Sequence, residues 1–199
     1  MKQETLDEKI SRLMSESTSL KDYDPSYPKV FEKEKSYLLE VCPTGIISRI
    51  EHFGSTAIPG IRSKPVVDLL VEVNSLEEVK EKIVPVLEDI GYEYLWRPAT
   101  GKDSSWYAWF IKRNYTGERT HHIHMIEADF AMWERLLFRD YLKEFPVKAR
   151  LYSEIKEKAS ISFPNDRVKY TEAKGDVVRV LTEEAKVYYQ NKNIGGSDD

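Results

Sequence analysis

The chain has a single cysteine, Cys42. It can form no internal disulfide and cannot build a thiolate zinc site. A reducing cytoplasm is the address this cysteine usage predicts. No apolar run approaches the ~20 residues that a membrane span needs, so no membrane association is expected. The opening Met1-Lys2-Gln3-Glu4-Thr5 has no apolar segment behind it, which argues against a secretory signal. An excess of basic residues is also missing. The formal net charge is −4 and the sequence pI about 5.7, whereas nucleic-acid binders usually carry a basic footprint, so no nucleic-acid partner is expected. Internal repeats and low-complexity segments are absent as well.

What is present is enough for one core. Across 199 residues, 41% are hydrophobic and 32% charged, and the mean hydropathy is −0.54. This balance predicts a single core with charged, helical surfaces.

The periodicity predicts an α+β chain, with a mixed β-sheet first, flanking helices, and a C-terminal helical lobe. Residues 1–22 read as an amphipathic helical extension, with Leu6, Ile10, Leu13 and Met14 at helical spacing. Residues 23–130 read as the α/β core. It holds a helix over 28–41, strands over 46–53 and 66–73, a helix over 76–91, and strands over 92–96, 106–112 and 120–127. The segment 97–105 reads as a loop, and Asn114 to Gly117 as a turn. Residues 131–190 read as three helices, 131–145, 147–163 and 167–190, with Pro164-Asn165-Asp166 as break and cap. Residues 191–199 read as a disordered tail.

Asp68 is the residue most out of place. It lies in Val66-Val67-Asp68-Leu69-Leu70-Val71-Glu72-Val73, an apolar run that reads as a central strand. Aspartate is disfavoured in strands. Burying its carboxylate unpaired costs several kcal/mol, so it has a partner or faces an open cleft. Lys64, Arg62 or a histidine could neutralise it structurally; alternatively it is a functional acid, the catalytic candidate. The preceding Gly54-Ser55-Thr56 turn has two readings as well. It is an ordinary turn, or a bend whose glycine admits a ligand and whose hydroxyls and amides suit a phosphate.

Three of the four histidines fall in His121-His122-Ile123-His124. Strand alternation puts His122 and His124 on one face, about 6.6 Å apart at the usual rise. Should Ile123 and Met125 face the core, the two imidazoles face the cleft. There they suit one divalent ion together with Asp68, or they are hydrogen-bonded without metal. Tyr170, Lys174, Val177 and Leu181 share a helical stripe. Lys174 then lies inward, where it meets an anionic ligand or a carboxylate such as Glu72. Arg139 lies among charges on a polar helix face, and Trp106 and Trp109 on opposite faces of a strand, one in the core and one walling the cleft.

These residues resemble the GrpB family. The matching motifs are EHFGSTAIPG at 51–60, KPVVDLLV at 64–71, HHIHM at 121–125, FRDYL at 138–142 and YTEAKG at 170–175, spanning roughly residues 26–187. The resemblance implies a fold similar to nucleotidyltransferases of the polymerase-beta-like superfamily. In that superfamily a Gly-Ser turn holds nucleotide phosphates and a strand with Asp-x-Asp or Asp-x-Glu binds magnesium. It thus implies phosphate binding at Gly54 and Ser55 and makes Asp68 the first metal-binding acid; with the patterns above, the candidate set is Gly54, Ser55, Thr56, Lys64, Lys174 and Arg139 for a phosphate or nucleotide, and Asp68, His122 and His124 for a metal. It also implies a protein partner in coenzyme A metabolism, because some relatives are fused to dephospho-coenzyme A kinase.

The second acid of the superfamily pattern is missing. Position 70 is Leu70, and Glu72 lies about 13 Å along the strand from Asp68, too far to share an ion. Among divalent metals the set therefore suits manganese, iron or zinc better than magnesium. Two functions are expected on these residues. One is a metal-dependent nucleotidyltransferase-like enzyme acting on a nucleotide or phosphorylated small molecule. The other is a module that binds such a ligand, or a protein partner in chaperone-like fashion, without turnover.

Overall fold

A computed structural model describes residues 4–99 and 105–194. Part of the predicted 97–105 loop, the start of the first predicted helix and residues 195–199 of the predicted tail lie outside the described residues. The chain forms a five-stranded mixed sheet with helices on both faces. Strands β1 (Ile47–Phe53), β2 (Val67–Val73), β3 (Glu93–Pro98), β4 (Trp106–Arg113) and β5 (Arg119–Ile126) lie in the order β1-β2-β5-β4-β3. Only β2 and β5 run parallel; the other neighbours are antiparallel. The β4–β5 turn is set by Asn114, whose side-chain oxygen accepts from the N–H groups of Thr116 and Glu118. The left-handed Gly117 completes it.

Strand alternation gives the sheet two faces. On the back face Val67, Leu69, Val71 and Val73 join Ala108, Phe110, Ile123 and Met125. They are covered by α2 (Tyr27–Val41) and by helical segments α3 (Leu76–Glu78) and α4 (Val84–Asp89). Between α3 and α4 lies a π turn, Val79–Ile83. Pro85 follows two residues after it, and having no N–H to donate back into the helix, it accounts for the local widening. On the front face Phe53, Leu70, Tyr107, Trp109, Ile111 and Ile126 pack with Leu13 of α1 (Leu6–Met14) and with Met132 and Leu136. The helical lobe follows as α5 (Glu134–Glu144), α6 (Pro146–Ser162), α7 (Arg167–Ala173) and α8 (Gly175–Ile194). It is joined to the bend after β1 through Ile58 and Ile61, which pack on Phe138, Leu142, Tyr152 and Leu181. Among the described residues no helix is long and apolar enough to cross a membrane.

The third strand runs to Pro98, two residues into the segment read as loop, and three helix boundaries also differ from the sequence reading. The first helix ends at Met14, not near residue 22. The apolar spacing stops there, and the serines beyond it bond locally, as Ser15 does to the carbonyls of Ser11 and Arg12. The chain then runs as a strap that makes a bridge between Lys21 and Ser63. The helix read over 167–190 is two helices that meet at Lys174 and Gly175. The last helix continues to Ile194, into the stretch read as tail. The predicted cap holds: the Asp166 side chain accepts from the Lys169 N–H at 3.0 Å.

Leu69 is fully buried at the centre of the back face. Leu69→Ala is expected to lower unfolding free energy by about 2–5 kcal/mol in urea titrations, with little change of slope.

Candidate functional site

The parallel pairing of β2 with β5 builds the site. Its register sets Asp68 beside His122 and Leu70 beside His124, while β1 places Phe53 on the other side of Asp68. All four side chains of the β2–β5 pairs point to the front face. Asp68 Oδ1 lies 3.0 Å from His122 Nδ1 and 3.9 Å from His124 Nε2. The Asp68 side chain keeps 24% exposure, so one edge of its carboxylate opens into a hollow.

Gly54 makes room for that carboxylate. A Cβ there would stand 2.3 Å from Asp68 Oδ2. Its backbone, φ 71° and ψ −172°, also lies in a region that only glycine populates readily. The glycine is required twice, by clearance and by conformation.

Burial works to raise the Asp68 pKa, but the hydrogen bond from His122 and the proximity of His124 outweigh it and hold the carboxyl well below the usual carboxylate range. Burial pushes the imidazole of His122 down, against the pull of Asp68. The geometry agrees with an ionised Asp68 beside a neutral His122. Arg119 Nη1, which can only donate, is 3.2 Å from His122 Nε2, so the ring proton sits on Nδ1 and is given to Asp68. His124 is lowered by burial as well. It stacks on Tyr107 at 5.5 Å, and its buried Nδ1 has no hydrogen-bond partner.

Cationic side chains surround the hollow. The ammonium groups of Lys64 and Lys174 each lie 4.9 Å from the ring of Tyr170. Burial, then the nearby charges of Arg167 and Lys174, hold the Lys64 pKa well below its ordinary value. Burial and the repulsion of Arg119 bring Arg167 down to about 10. Lys156, buried and bonded to the Arg62 carbonyl, is lowered to about 7 by burial and then by Lys174. Along the opposite side Arg97 lies over Trp109 at 4.7 Å, and Arg97 and Arg135 both act on His124.

The candidates named from the sequence divide into two groups. Asp68, His122 and His124 come together, as do Gly54 and Asp68, and Lys64 with Lys174. Ser55, half-buried, opens the tight turn Ser55–Ala57 that follows Gly54. Thr56 turns inward; its hydroxyl lies 3.0 Å from Nε2 of His52, which stacks on Phe31. Arg139 is held elsewhere, by Glu51, by Asp140 and by the His52 carbonyl, so it ties α5 to β1. Arg62 bonds Asp22, and Glu72 accepts from Ser48; neither therefore serves as the partner weighed for Asp68 or Lys174. Trp109 is both the buried tryptophan and the one lining the hollow, whereas Trp106 is exposed and stacks on Trp96. Sequence reasoning missed Arg119 and Arg167. Arg119 stands three residues before His122, an odd offset that sends the two side chains to opposite faces of a regular strand, so alternation gives no hint that they meet.

The donors fit a metal ion in part. Ligand atoms of Asp68, His122 and His124 all lie within 4.8 Å of one another. The 3.9 Å between Asp68 and His124 is too long for a hydrogen bond, yet within reach of two ligands about 2.0–2.2 Å from one ion. The orphaned Nδ1 leaves His124 free to present Nε2 as a neutral donor. His122 joins only with its proton moved from Nδ1 to Nε2, which sets that nitrogen against Arg119.

Comparison with known proteins places this arrangement in context. The family model described as GrpB protein matches residues 17–184. The glutamate-rich protein GrpB of Alkalihalophilus pseudofirmus is 34% identical over 163 residues, covering 81% of this chain and 92% of that protein. A UPF0157 protein of Pseudomonas aeruginosa is 36% identical over 79% of this chain and 64% of its own length. The UPF0157 protein YqkA of Bacillus subtilis is 33% identical over 86% of this chain, which spans 48% of that relative, about half. Among solved structures, the crystal structure of the conserved protein GrpB from Enterococcus faecalis superposes with a TM-score of 0.73 at 30% identity, covering 86% of this chain and 99% of that one.

Two outcomes are expected from this geometry. Gly54→Ala meets both the clash and the strain; strain of this kind alone costs about 1–3 kcal/mol, and thermal melts should show at least that loss. The second concerns pH. Burial lowers His52 to about 4, against the pull of Asp68. The unfolded chain, with an ordinary histidine pKa near ~6.5, then binds more protons than the folded chain between those values. The stability due to a neutral His52 is full above that window and falls as pH drops from ~6.5 to about 4. Denaturant titrations at pH 7 and 4.5 should show this fall, and His52→Gln should reduce it; an equal fall in the variant would refute the assignment.

Proposed function

The chain belongs to the GrpB protein family, and on that premise we propose that it acts on a nucleotide or other phosphorylated small molecule as a metal-dependent enzyme of nucleotidyltransferase type. The observation that carries this reading is the meeting of Asp68, His122 and His124 at the floor of a hollow ringed by cationic side chains. Lys64, Lys174 and Arg167 supply the positive charge that a phosphate chain requires. Gly54 keeps the backbone low enough for close approach. In this reading Ser55, at the start of the following turn, offers its hydroxyl to a phosphate oxygen. Asp68 is the acid on which the chemistry depends.

Asp68, His124 and His122 would hold a divalent ion, His122 after its proton shift. The mixed donor set suits manganese or zinc above magnesium. When bound, the ion supplies charge neutralisation at a phosphoryl oxygen. Residence in the cytoplasm belongs to the same proposal.

A second reading is binding of the same ligand class without turnover. Leu70 favours it: the position of the missing second acid is fully buried in the front-face core, leaving no place for a second ion.

One experiment separates the two. The purified chain is incubated with nucleoside triphosphates and magnesium, manganese or zinc, and both bound metal and product are measured. The expected result is turnover that requires one metal, with Asp68→Asn losing it by at least ~100-fold. Metal-dependent ligand binding without product would support the second reading. Neither metal nor nucleotide retained at millimolar concentration would overturn both.

A further inference from the structure

A second acceptor for negative charge adjoins the first. The guanidinium groups of Arg113, Arg119 and Arg167 converge on one carboxylate, that of Glu16, in the strap after α1. Arg113 Nη2 lies 2.6 Å from Glu16 Oε1, while its Nε pairs with Glu93, and Arg12 approaches Glu16 at 4.0 Å. Arg119 Nε lies 2.5 Å from Oε2, angled as an ion contact without a well-directed N–H bond. Arg119 is 3% exposed and uses its other nitrogens on His122 Nε2 and on the Leu13 carbonyl, so this cluster stands one imidazole away from Asp68.

We propose that these three arginines form a subsite for a terminal phosphate of the ligand, and that Glu16 occupies it in the closed molecule as an internal stand-in. The idea rests on the reading of the hollow as a phosphate site and names where a phosphate chain would end.

Three observations carry it. Glu16 satisfies only part of the cluster. Arg167 stays 3.6 Å from it, with its buried Nε unpartnered and its Nη2 turned to the Ser17 carbonyl. A phosphate offers three strong acceptor oxygens where a carboxylate offers two, so it can engage all three arginines. The subsite also adjoins Asp68 through a single side chain, because His122 lies 3.2 Å from Arg119 through Nε2 and 3.0 Å from Asp68 through Nδ1. Finally, the Glu16 side chain keeps 22% exposure, so its carboxylate is within reach of an anion arriving from solvent. In α1 only Leu13 is buried, whereas Leu6 and Ile10 are exposed. The backbone is held on either side of Glu16, by Arg119 on the Leu13 carbonyl, by Arg167 on the Ser17 carbonyl, and by Thr18, which exchanges hydrogen bonds with Phe163, Pro164 and Ser160. Displacement of Glu16 is therefore a movement of its side chain, with the flanking backbone bonds to yield in turn. The three arginines lie inside the 17–184 family match, and Glu16 precedes it.

The test uses inorganic pyrophosphate and the full chain in EDTA, so it is read without metal or turnover. Calorimetric titration of Glu16→Gln is expected to show pyrophosphate binding about tenfold tighter than wild type. Adding Arg167→Gln is expected to abolish the gain. Equal or weaker binding by Glu16→Gln, or no binding by either protein, would overturn the proposal. Because removing Glu16 leaves Arg119 buried without its counter-ion, a measurement on wild type accompanies it. Hydrogen exchange over residues 5–17 should quicken when pyrophosphate binds; unchanged or slower exchange would count against displacement. Loss of Asp68-dependent turnover with pyrophosphate binding intact would refute the enzyme reading alone.

Discussion

An ionised carboxylate set into a central strand constrains everything around it. Asp68 cannot shed its charge cheaply into the sheet, so its neighbours must supply protons and space. Gly54 supplies the space by lacking a Cβ. His122 supplies the proton from Nδ1, which obliges its Nε2 to accept, and the acceptor is served by Arg119. Arg119 is itself almost wholly buried, and a buried guanidinium needs a counter-charge. Glu16 provides it from the strap. One acid on β2 thus dictates a hydrogen-bonded series that runs across β5 and ends in the N-terminal segment.

The charge balance of the hollow is opposite to that of the whole chain. The protein carries a net −4, yet Lys64, Lys156, Arg167 and Lys174 crowd one side of the hollow and Arg97 and Arg135 the other. The depressed basicity of Lys64, Lys156 and Arg167 measures their crowding: burial and mutual repulsion both work against their charge. Such an arrangement is costly in isolation and is relieved by an anion.

The sequence disclosed the site's floor better than its walls. Asp68 was legible because aspartate contradicts an apolar run, and the face shared by His122 and His124 was legible because strands alternate. Their meeting with Asp68 was not, since it depends on β5 returning to lie parallel to β2 after the β3–β4 excursion, a non-local pairing that no window of sequence contains. Lys174 was read as inward from helical spacing. It is inward, but at a helix junction created by Gly175, not within one helix. Arg139 was read as a phosphate ligand from its motif; Glu51 and Asp140 engage it instead. Arg119 escaped notice because an arginine beside a hairpin turn looks like a solvated charge, and only the strap above it makes it a buried hub. That strap was itself misread as helix, because the apolar spacing from Leu6 to Met14 was extended into serines that cannot sustain it.

Leu70 decides what kind of ligand such a site can select. It pairs with His124 and Glu51 in register and packs with Phe53 and Trp109, so the place of a second acid is spent on the core. With two carboxylates, a divalent ion is neutralised by its protein ligands, and the surrounding cations alone would set the polarity. With Asp68 as the sole acid and two neutral imidazoles, a divalent ion retains a positive charge of its own, added to that of the lysines and arginines. A neutral metabolite gains little from such a field. A group that carries several negative charges along a chain gains at each step, from the floor at Asp68 past Lys64 and Lys174 to Arg167. On the proposed function, a leucine at position 70 would narrow the ligand class toward polyanions, and the same packing would leave no room for a second metal ion.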